Sequence, residues 1–441
     1  MASPFNTIRR AGKLAKIPAA ARQAARLDGV AKERARELLA SLMADAKGLP
    51  MKVGQFMASQ AGGEAFTPLT QTIDPLPLAV LLPQITKTLG KPVAEVFASI
   101  AESGTAASLG QVHRAVTLGG EAVAIKVQYP DIASAVAAEM TLLGLLPGIG
   151  PVKRRGIDLT AYKAMLRANL MLELDYTSEA DRQRRFADAV HVRGLRVPRV
   201  LPGLGGIDLL VQTWEDGQRL ETATTWPDAD RSDVARILLQ TLLTSLFAAG
   251  TIHGDPHPGN YLVRRTADGR PEVVLLDYGC IVTLSETSRL ALLTLILASR
   301  GESDVVPGDA FAAMGFDMAK LAPINDQLPA LCQILFEPFV TDRPFRLQDW
   351  QLGERIGQLL GDDRWCFRAA GPPEMVLLIR AFQGLMTHLE RLQVGLAWWP
   401  HLVEALGPAL LVRARTNRPQ PVLTPGEAHR RGTMGSGHGR A

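Results

Sequence analysis

The chain has 441 residues, of which 47% are apolar and 21% are charged. This length predicts two or three structural units, and this composition excludes a chain that is disordered throughout. The formal net charge of +4 divides unevenly, because residues 1–27 carry +6, residues 413–441 carry +5 and the body between them carries −7. An acidic body with two basic ends argues against a uniformly basic nucleic-acid-binding protein.

The cysteines and the apolar runs indicate in which cellular compartment the protein is expected. Cys280, Cys332 and Cys366 are too few and too widely spaced for a disulfide framework or a structural zinc site. Residues 1–27 contain no apolar run of signal-peptide length, and no run in the chain reaches the roughly 20 apolar residues of a spanning helix. We therefore expect a cytoplasmic protein with no transmembrane helix and no structural metal. Peripheral contact between its basic ends and an anionic inner membrane face is left open.

Helices are predicted at the beginning of the chain. Residues 1–27 are rich in Ala and Arg, a composition that favours a basic amphipathic helix. Apolar residues recur at helical spacing over residues 31–46, and Gly48 and Pro50 end that pattern. A second helix is expected to begin near Met51.

The first strands are expected after residue 104. Gly119-Gly120 separates two strand-like runs, Gln111–Val116 and Ala122–Gln128, which is the pattern of a hairpin. Side chains alternate between the two faces of a strand, so Lys126 lies on the face opposite to the apolar residues of the second run.

The rest of the chain predicts a mixture of helices and short strands. In chain order the predicted elements are a helix at Leu166–Val190, a strand at Gly206–Thr213, a helix at Ser232–Ala249, strands at Tyr261–Val263 and Val273–Leu276, and helices from Ser285 to Val412. Pro, Gly and Arg dominate from Arg413 onward, and a disordered tail is expected there. This order predicts an α+β fold with a helical N-terminal extension, a small β-rich lobe and a large α-helical lobe.

Three polar residues stand where a nucleotide and its metal ion can be held. Asp255 and Asn260 are five residues apart on one short loop. The aspartate can accept a proton or position a nucleophile, and the asparagine can bind Mg²⁺ through its amide oxygen. Asp277 follows an apolar strand and offers a second oxygen ligand. Each feature is weak by itself.

A lysine further upstream completes the set. Lys126 presents an ammonium suited to the phosphates of ATP, and it needs a carboxylate to hold it in place. Glu173, Asp175 and Glu179 lie on the next predicted helix and are the candidates. The ordered series of lysine, glutamate, Asp-x₄-Asn and Asp-x-Gly is far more specific than any of its parts.

Motifs outside this series identify a family. Lys52-Val53-Gly54-Gln55 reads as a KxGQ motif, Ala106-Ala107-Ser108 begins an alanine-rich loop, and Glu173-Leu174-Asp175 reads as an ExD segment followed by Glu179. Over roughly residues 30–400 the chain thereby resembles the UbiB family of atypical kinases, which belongs to the protein-kinase-like superfamily and is linked to ubiquinone synthesis. Neither of two departures, Thr105 for an alanine and Tyr278 for the usual phenylalanine, removes a ligand group.

The resemblance implies a role for each motif residue. It implies that Lys126 binds the phosphates of ATP or ADP and pairs with Glu179, that Asp277 and Asn260 bind Mg²⁺, and that Asp255 stands at the position of the catalytic aspartate. The remaining residues that it assigns to the ATP site are Ala106, Ala107, Ser108, Glu173 and Asp175.

The resemblance also implies roles for the extension and the loop. Lys52 and Gln55 would reach the active site from the helical extension, with Lys52 near Glu173. Ala106 and Ala107 replace residues that are glycine in ordinary kinases. Because alanine adopts positive φ poorly, these residues predict a stiffer loop with altered nucleotide handling. The resemblance implies a shifted nucleotide preference and suppressed phosphorylation of proteins.

The region after Asp277 bears on the substrate. Ser285 begins a helix-capping pattern only eight residues later, which leaves no room for the long segment on which a peptide substrate docks. Phosphorylation of peptides is therefore disfavoured by this short spacing as well as by the alanine-rich loop.

These inferences combine into one expected organisation. The predicted ranges are a basic segment at 1–27, a helical extension at 28–100, a kinase-like N-lobe at 101–216, a kinase-like C-lobe at 217–412 and a basic disordered tail at 413–441. The expected activity is that of an ATPase or a small-molecule or lipid-directed kinase in ubiquinone or isoprenoid lipid metabolism. Its expected partners are a nucleotide, a quinone or isoprenoid lipid and an anionic membrane surface, but no nucleic acid.

Two alternatives stay open at the level of sequence. A small-molecule phosphotransferase of the aminoglycoside or choline kinase type has the same His-Gly-Asp-x₄-Asn loop but lacks the KxGQ motif and the alanine-rich loop. A non-catalytic scaffold that depends on nucleotide is the other alternative. The pattern of residues predicts no oligomeric state.

Overall fold

The structure, a computed structural model, describes residues 75–107, 109–134, 136, 164, 167–168 and 171–419. These residues form two compact units. The first comprises the described residues up to Asp188 together with 194–223 and 253–281, and the second comprises 189–193, 224–252 and the described residues from 282 onward. The predicted helices before residue 75 and residues 420–441 of the predicted tail lie outside the described residues. Residues 413–416 of that tail are helical, so the expectation of disorder from Arg413 was wrong there. The predicted domain ranges stay predictions.

A six-stranded antiparallel sheet forms the body of the first unit. Its strands are β1 (Phe97–Ile100), β2 (Thr105–Ala106), β3 (Gly110–Thr117), β4 (Ala122–Gln128), β6 (Val200–Gly206) and β7 (Leu209–Thr213). The order is β1-β3-β4-β7-β6, and β2 pairs with β3 outside this path. This sheet places β4, the strand that carries Lys126, between two long neighbours.

The predicted hairpin of β3 and β4 is confirmed. Gly120 has a φ of 80°, which only glycine adopts readily, and the strands pair with Val112 opposite Lys126. Val123 and Ile125 are fully buried in the core on one face of β4, as the alternation predicted.

Helix α1 (Leu78–Leu89) packs its apolar residues into the same core. Leu81 and Ile85, four residues apart, are fully buried beside the residues of β4. Helix α1 lies within the predicted helical extension of residues 28–100, although its own bounds were not predicted. Strand β1 was not predicted, and the expectation that strands begin only after residue 104 was wrong. Pro83 inside α1 obscures its helical pattern, and β1 is only four residues long, which is too short for its alternation to be recognised.

A second, four-stranded sheet also belongs to the first unit. It consists of β5 (Leu195–Arg196), β8 (Gln218–Arg219), β10 (Tyr261–Arg265) and β11 (Pro271–Leu275) in the order β5-β11-β10-β8. The predicted pair β10 and β11 is confirmed, and the turn between them contains Gly269 with a φ of 81°. The short strands β9 (Thr251–His253) and β12 (Ile281–Thr283) form a separate two-stranded sheet.

One further helix belongs to the first unit. Helix α2 (Tyr176–Ala189) follows residues 171–173, which are themselves helical, and all but its last residue lie in this unit. The predicted helix at Leu166–Val190 is therefore confirmed over the described residues, with an interruption at Leu174 and Asp175.

The second unit is helical. Its helices are α3 (Asp228–Leu243), α4 (Glu286–Ser299), α5 (Pro307–Ala313), α6 (Met318–Leu321), α7 (Leu328–Leu335), α8 (Glu337–Val340), α9 (Leu352–Leu360), α10 (Arg364–Ala370), α11 (Pro373–Leu392) and α12 (Trp398–Thr416). A π-helical turn, Thr244–Ala249, extends α3. Ser285 caps α4 as predicted, since its side chain accepts a hydrogen bond from the Ser288 amide. The predicted α+β fold class is confirmed.

The glycine at the start of β3 generates a first prediction. A Cβ at Gly110 would lie 2.2 Å from the Val127 carbonyl oxygen and 2.9 Å from the Tyr176 hydroxyl. We expect Gly110→Ala to lower the free energy of unfolding by about 1–3 kcal/mol, because backbone or ring must move to admit the methyl group. Urea unfolding measures the change. Gly119→Ala is the control, since its Cβ would lie 3.7 Å from the Thr117 hydroxyl, and an equal loss in both variants would contradict the explanation.

Candidate functional site

The centre of the candidate site is the ammonium of Lys126. Its Nζ atom lies 2.7 Å from Glu179 Oε1 and 3.1 Å from Asp277 Oδ2. Strand alternation directs this side chain away from the core of the sheet, and the lysine side chain is still only 14% exposed. The structure therefore contains the predicted ion pair with Glu179 and adds a contact with Asp277 that the sequence did not predict.

The surroundings of Lys126 keep it charged. Burial by itself would lower the pKa of its ammonium, but the negative charges of Asp277 and Glu179 outweigh burial and hold that pKa well above its ordinary value. The ring of Tyr176 lies 5.0 Å from Nζ and adds a cation–π contact. At neutral pH the site therefore contains a fixed cation between two carboxyl groups.

Glu179 links the lysine to the backbone after β11. It is 1% exposed, and burial raises the pKa of its carboxyl group while the neighbouring Lys126 opposes that rise. Oε1 also accepts a hydrogen bond of 3.4 Å from the Tyr278 amide. Oε2 is buried and has no hydrogen-bond partner among the described residues. One carboxylate oxygen thus holds two groups while the other stays unsatisfied, which is unusual for a buried acid.

The backbone around Asp277 is tightly held. Asp277 Oδ1 accepts a hydrogen bond of 2.8 Å from the Gly279 amide, and the ring Nε2–H of His253 donates to the Asp277 carbonyl oxygen. The Leu276 amide donates to the carbonyl oxygen of Asn260 at 3.0 Å, which joins the two loops that carry oxygen ligands. The Asp277 side chain keeps 35% exposure and is within reach of a ligand.

Asn260 orients Asp255. The Asn260 Nδ2 group donates to the Asp255 carbonyl oxygen at 3.0 Å and to Asp255 Oδ2 at 3.1 Å. The amide nitrogen is thereby committed to Asp255, so the amide oxygen is the atom of Asn260 suited to a cation. The two residues are held together as the five-residue spacing predicted.

The donor set suits Mg²⁺ that is shared with phosphates. No group of three or more His, Cys, Asp or Glu side chains is arranged around a metal position in the described part of the chain. Mg²⁺ is usually held by one or two protein oxygens together with phosphate oxygens and water. One carboxylate from Asp277 and one amide oxygen from Asn260 fit this requirement.

Asp175 and Glu173, the other two candidate partners of Lys126, have other surroundings than Glu179. Asp175 Oδ1 accepts hydrogen bonds from the amides of Thr177 and Ser178 at 3.0 and 3.1 Å, and Oδ2 accepts one from the Ser178 hydroxyl at 2.6 Å. Asp175 therefore caps the start of α2, and its predicted nucleotide contact stays a prediction. Glu173 lies near the segment that follows Asp277, because a Cβ at Gly279 would be 3.5 Å from Glu173 Cγ.

The alanine-rich segment is the end of a hairpin next to the lysine strand. Ala106 in β2 pairs with Gln111 in β3, and the Ala107 amide donates to the Gly110 carbonyl oxygen at 2.8 Å. Ser108, Lys52 and Gln55 lie outside the described residues. Their predicted contacts with nucleotide and active site stay predictions.

Two side chains had no predicted role. Gln128 lies two residues after Lys126 on the same face of β4, is 5% exposed, and donates to the carbonyl oxygens of Leu174 and Ile207 at 2.6 and 3.2 Å. Arg182 lies one helical turn after Glu179 and contacts the segment that follows Asp277. Both bind backbone carbonyls, which carry no sequence pattern, so only their spacing from Lys126 and Glu179 could have indicated them.

Comparison with known proteins places this site in a known domain. A family profile described as "ABC1 atypical kinase-like domain" matches residues 68–304, which is more than half of the chain. This range includes every described member of the candidate site.

Individual relatives agree with that match. An ABC1 family protein of Schizosaccharomyces pombe is 31% identical over 266 residues, which cover 57% of this chain and 50% of that protein. AarF domain-containing protein kinase 1 of Xenopus tropicalis is 32% identical, covering 58% and 51%. Protein ACTIVITY OF BC1 COMPLEX KINASE 1, chloroplastic, of Arabidopsis thaliana is 32% identical, covering 60% and 39%. The chain spans about half the length or less of these relatives.

A solved structure shares the fold. It is described as a complex of Rv3197 with erythromycin from Mycobacterium tuberculosis, and it matches 86% of this chain and 97% of its own chain. The TM-score is 0.58 at 24% sequence identity. Within the described part of the chain, no helix has both the length and the apolar character that crossing a bilayer requires.

The cap of α2 generates a prediction with a pH dependence. Burial works against the charged Asp175 carboxyl, but its hydrogen bonds with Ser178 and Thr177 outweigh burial and lower its pKa. A carboxyl whose pKa is lowered by folding stabilises the fold above its unfolded pKa and loses that effect as pH falls through the folded value. We expect Asp175→Ala to lower the free energy of unfolding by about 1 kcal/mol at pH 7, and we expect this difference to shrink as pH falls below about 4.

Urea titrations from pH 7 down to the lowest pH at which the protein stays folded measure this difference. Asp188→Ala is the control, because Asp188 is an exposed acid at the other end of the same helix. The capping role would be contradicted if Asp175→Ala loses no stability at pH 7, or if its loss of stability grows as the pH falls.

Proposed function

The chain belongs to the ABC1 family of atypical kinase-like proteins, the UbiB-type family that its motifs resemble, and from this premise we propose that it binds ATP or ADP with Mg²⁺ and acts as an ATPase or as a kinase for a small molecule or lipid. The observation that carries the proposal is the bridge from Lys126 to Glu179 and Asp277. It joins a phosphate-binding cation to a metal-binding carboxylate, which is the pairing that phosphoryl transfer needs.

Each residue of the site has a task in this proposal. The Lys126 ammonium, kept charged by its two carboxylates, would bind nucleotide phosphates. Asp277 and Asn260 would hold Mg²⁺, which when bound supplies positive charge to neutralise the phosphates. Asp255, oriented by the Asn260 amide, would accept a proton from a substrate hydroxyl or from water and aim its oxygen at the terminal phosphate.

The proposed substrate is small or lipidic rather than a peptide. Helix α4 begins at Glu286, only nine residues after Asp277, and Ile281–Thr283 between them is the strand β12. The described chain therefore has no long segment after Asp277 on which a peptide could dock. The hairpin that carries Ala106 and Ala107 also differs from the glycine-rich loop of peptide kinases.

A quinone or isoprenoid lipid at an anionic membrane is the proposed setting. The link to quinone metabolism comes from the family to which the chain belongs. The basic ends support the setting, since residues 1–27 carry +6 and residues 413–441 carry +5, and clusters of Lys and Arg bind anionic lipid surfaces. Peripheral binding from the cytoplasmic side is thus part of the proposal.

Replacement of the metal ligand tests the site. We expect Asp277→Asn to abolish the rise in Tm that Mg²⁺ and ATP produce in the wild-type protein, because a neutral amide replaces the charged ligand. Thermal-shift titration measures the rise. Asp268→Asn is the control, since Asp268 is an exposed acid in the turn between β10 and β11. A rise in the Asp277 variant equal to that of the wild type would refute the assignment.

An assay with vesicles tests the activity and the setting. We expect purified protein to hydrolyse ATP faster with vesicles of anionic lipid and a quinone-precursor analogue than with neutral vesicles. We also expect removal of residues 1–27 and 420–441, which carry +6 and +2, to weaken co-sedimentation. Added salt should weaken the remaining binding, as for any surface attraction between charges. A phosphorylated lipid product that carries the label would identify a kinase. Release of phosphate without such a product would identify an ATPase, and binding of ATP without turnover would identify a scaffold. Equal sedimentation of the truncated protein would refute the membrane role of the ends.

A further inference from the structure

Among the described residues, the guanidinium of Arg182 donates three hydrogen bonds, all of them to backbone carbonyls. Nε donates to the Tyr278 oxygen at 2.9 Å, and one terminal nitrogen donates to the Gly279 oxygen and to the Leu172 oxygen, both at 3.2 Å. A guanidinium offers five donors in a rigid plane, whereas an ammonium is a single point of charge. Arginine is therefore the side chain that can join these three carbonyls.

The three carbonyls belong to the two segments that carry the acids of the site. Tyr278 and Gly279 directly follow Asp277, and Leu172 directly precedes Glu173. The arginine thus connects the main chains of these two segments.

Helix α2 holds the segment after Asp277 along one face. Glu179, Arg182 and Phe186 are spaced i, i+3 and i+7, so they lie on the same side of the helix. Glu179 accepts from the Tyr278 amide, Arg182 donates to the Tyr278 carbonyl, and the Phe186 ring lies 5.3 Å from the Tyr278 ring. The helix therefore contacts both polar groups of this backbone unit and its side chain.

Asp277 depends directly on this backbone. Its Oδ1 accepts from the Gly279 amide, and the Gly279 carbonyl is one of the acceptors of Arg182. Loss of the guanidinium would leave the Tyr278 and Gly279 carbonyls without these donors and free the turn that orients the carboxylate.

We propose that Arg182 is a positioning residue that fixes the Asp277 carboxylate for Mg²⁺ by clamping the Tyr278 and Gly279 carbonyls to helix α2, and that it holds the segment of Glu173 beside them. The metal part of this inference rests on the proposed function, since only there is Asp277 a Mg²⁺ ligand. The clamp itself is a property of the ligand-free protein. Arg182 contacts no phosphate in this role.

Three variants test the clamp. Arg182→Gln removes both the positive charge and the planar guanidinium. Arg182→Lys keeps the charge but not the planar guanidinium, and Arg184→Gln is the matched control on the same helix. Arg184 is 47% exposed and pairs with Asp181 on the surface, a contact that adds little to stability. Circular dichroism and Tm establish that each variant is folded, and Arg182→Lys carries the test if Arg182→Gln does not fold.

Hydrogen exchange of the ligand-free protein is the first measurement. We expect the Tyr278 and Gly279 amides to exchange on the order of tenfold faster in Arg182→Gln than in Arg184→Gln or the wild type, with Arg182→Lys between them, because opening of the turn exposes both amides. Exchange at these two amides that is the same in the folded Arg182 variants and the control overturns the clamp, whether or not the protein binds nucleotide.

Calorimetric titration is the second measurement. With ATP present, we expect the Kd for Mg²⁺ to rise on the order of tenfold in Arg182→Gln, as is typical when a partner of a ligating carboxylate is lost, while the Kd for ATP in EDTA stays at the wild-type value. If Arg182 only stabilised the fold, its loss would weaken the binding of both Mg²⁺ and ATP or of neither, and either result overturns the proposal. If wild-type protein binds no nucleotide, the proposed function fails, and the exchange measurement alone decides the clamp.

Discussion

The first unit depends on a lysine that is removed from water. An isolated ammonium in a buried position costs several kcal/mol of desolvation, and only close negative charge offsets that cost. The two carboxyl groups that do so lie 53 and 151 positions away along the chain from Lys126. Burial of the lysine therefore requires the strand, the helix and the loop that carry these three charges to come together. The same requirement assembles the site.

Helix α2 sets the geometry of the backbone that follows Asp277. It begins at the cap made by Asp175, and its inner face presents Glu179, Arg182 and Phe186 to one short stretch of backbone. A start displaced by one residue would rotate this face by about 100° about the helix axis and turn all three side chains away. The cap thus influences the position of the segment that follows Asp277 through the helix that it begins.

The sequence predicted the features that have a local pattern and missed those that do not. Lys126 and its strand follow from alternation, and the Ser285 cap and the β10–β11 turn follow from residue type. The contact between Lys126 and Asp277 was not predictable, because it depends on tertiary structure across two elements. Strands of two residues such as β5 have too few positions to show a period. Asp175 was interpreted as part of a nucleotide motif, although an aspartate before a helical run is also the pattern of a cap.

In the described part of the chain, the hydrogen bonds of Arg182 all go to the main chain, so they place the loop after Asp277 without depending on which side chains it carries. Any amino acid at position 278 presents the same carbonyl to the guanidinium, so a phenylalanine-to-tyrosine difference there leaves the clamp intact. The Tyr278 hydroxyl in turn is buried and satisfied within its own loop by the Leu275 carbonyl at 3.1 Å. An exchange at position 278 that keeps a ring of the same size against Phe186 therefore leaves the Asp277 carboxylate in its position.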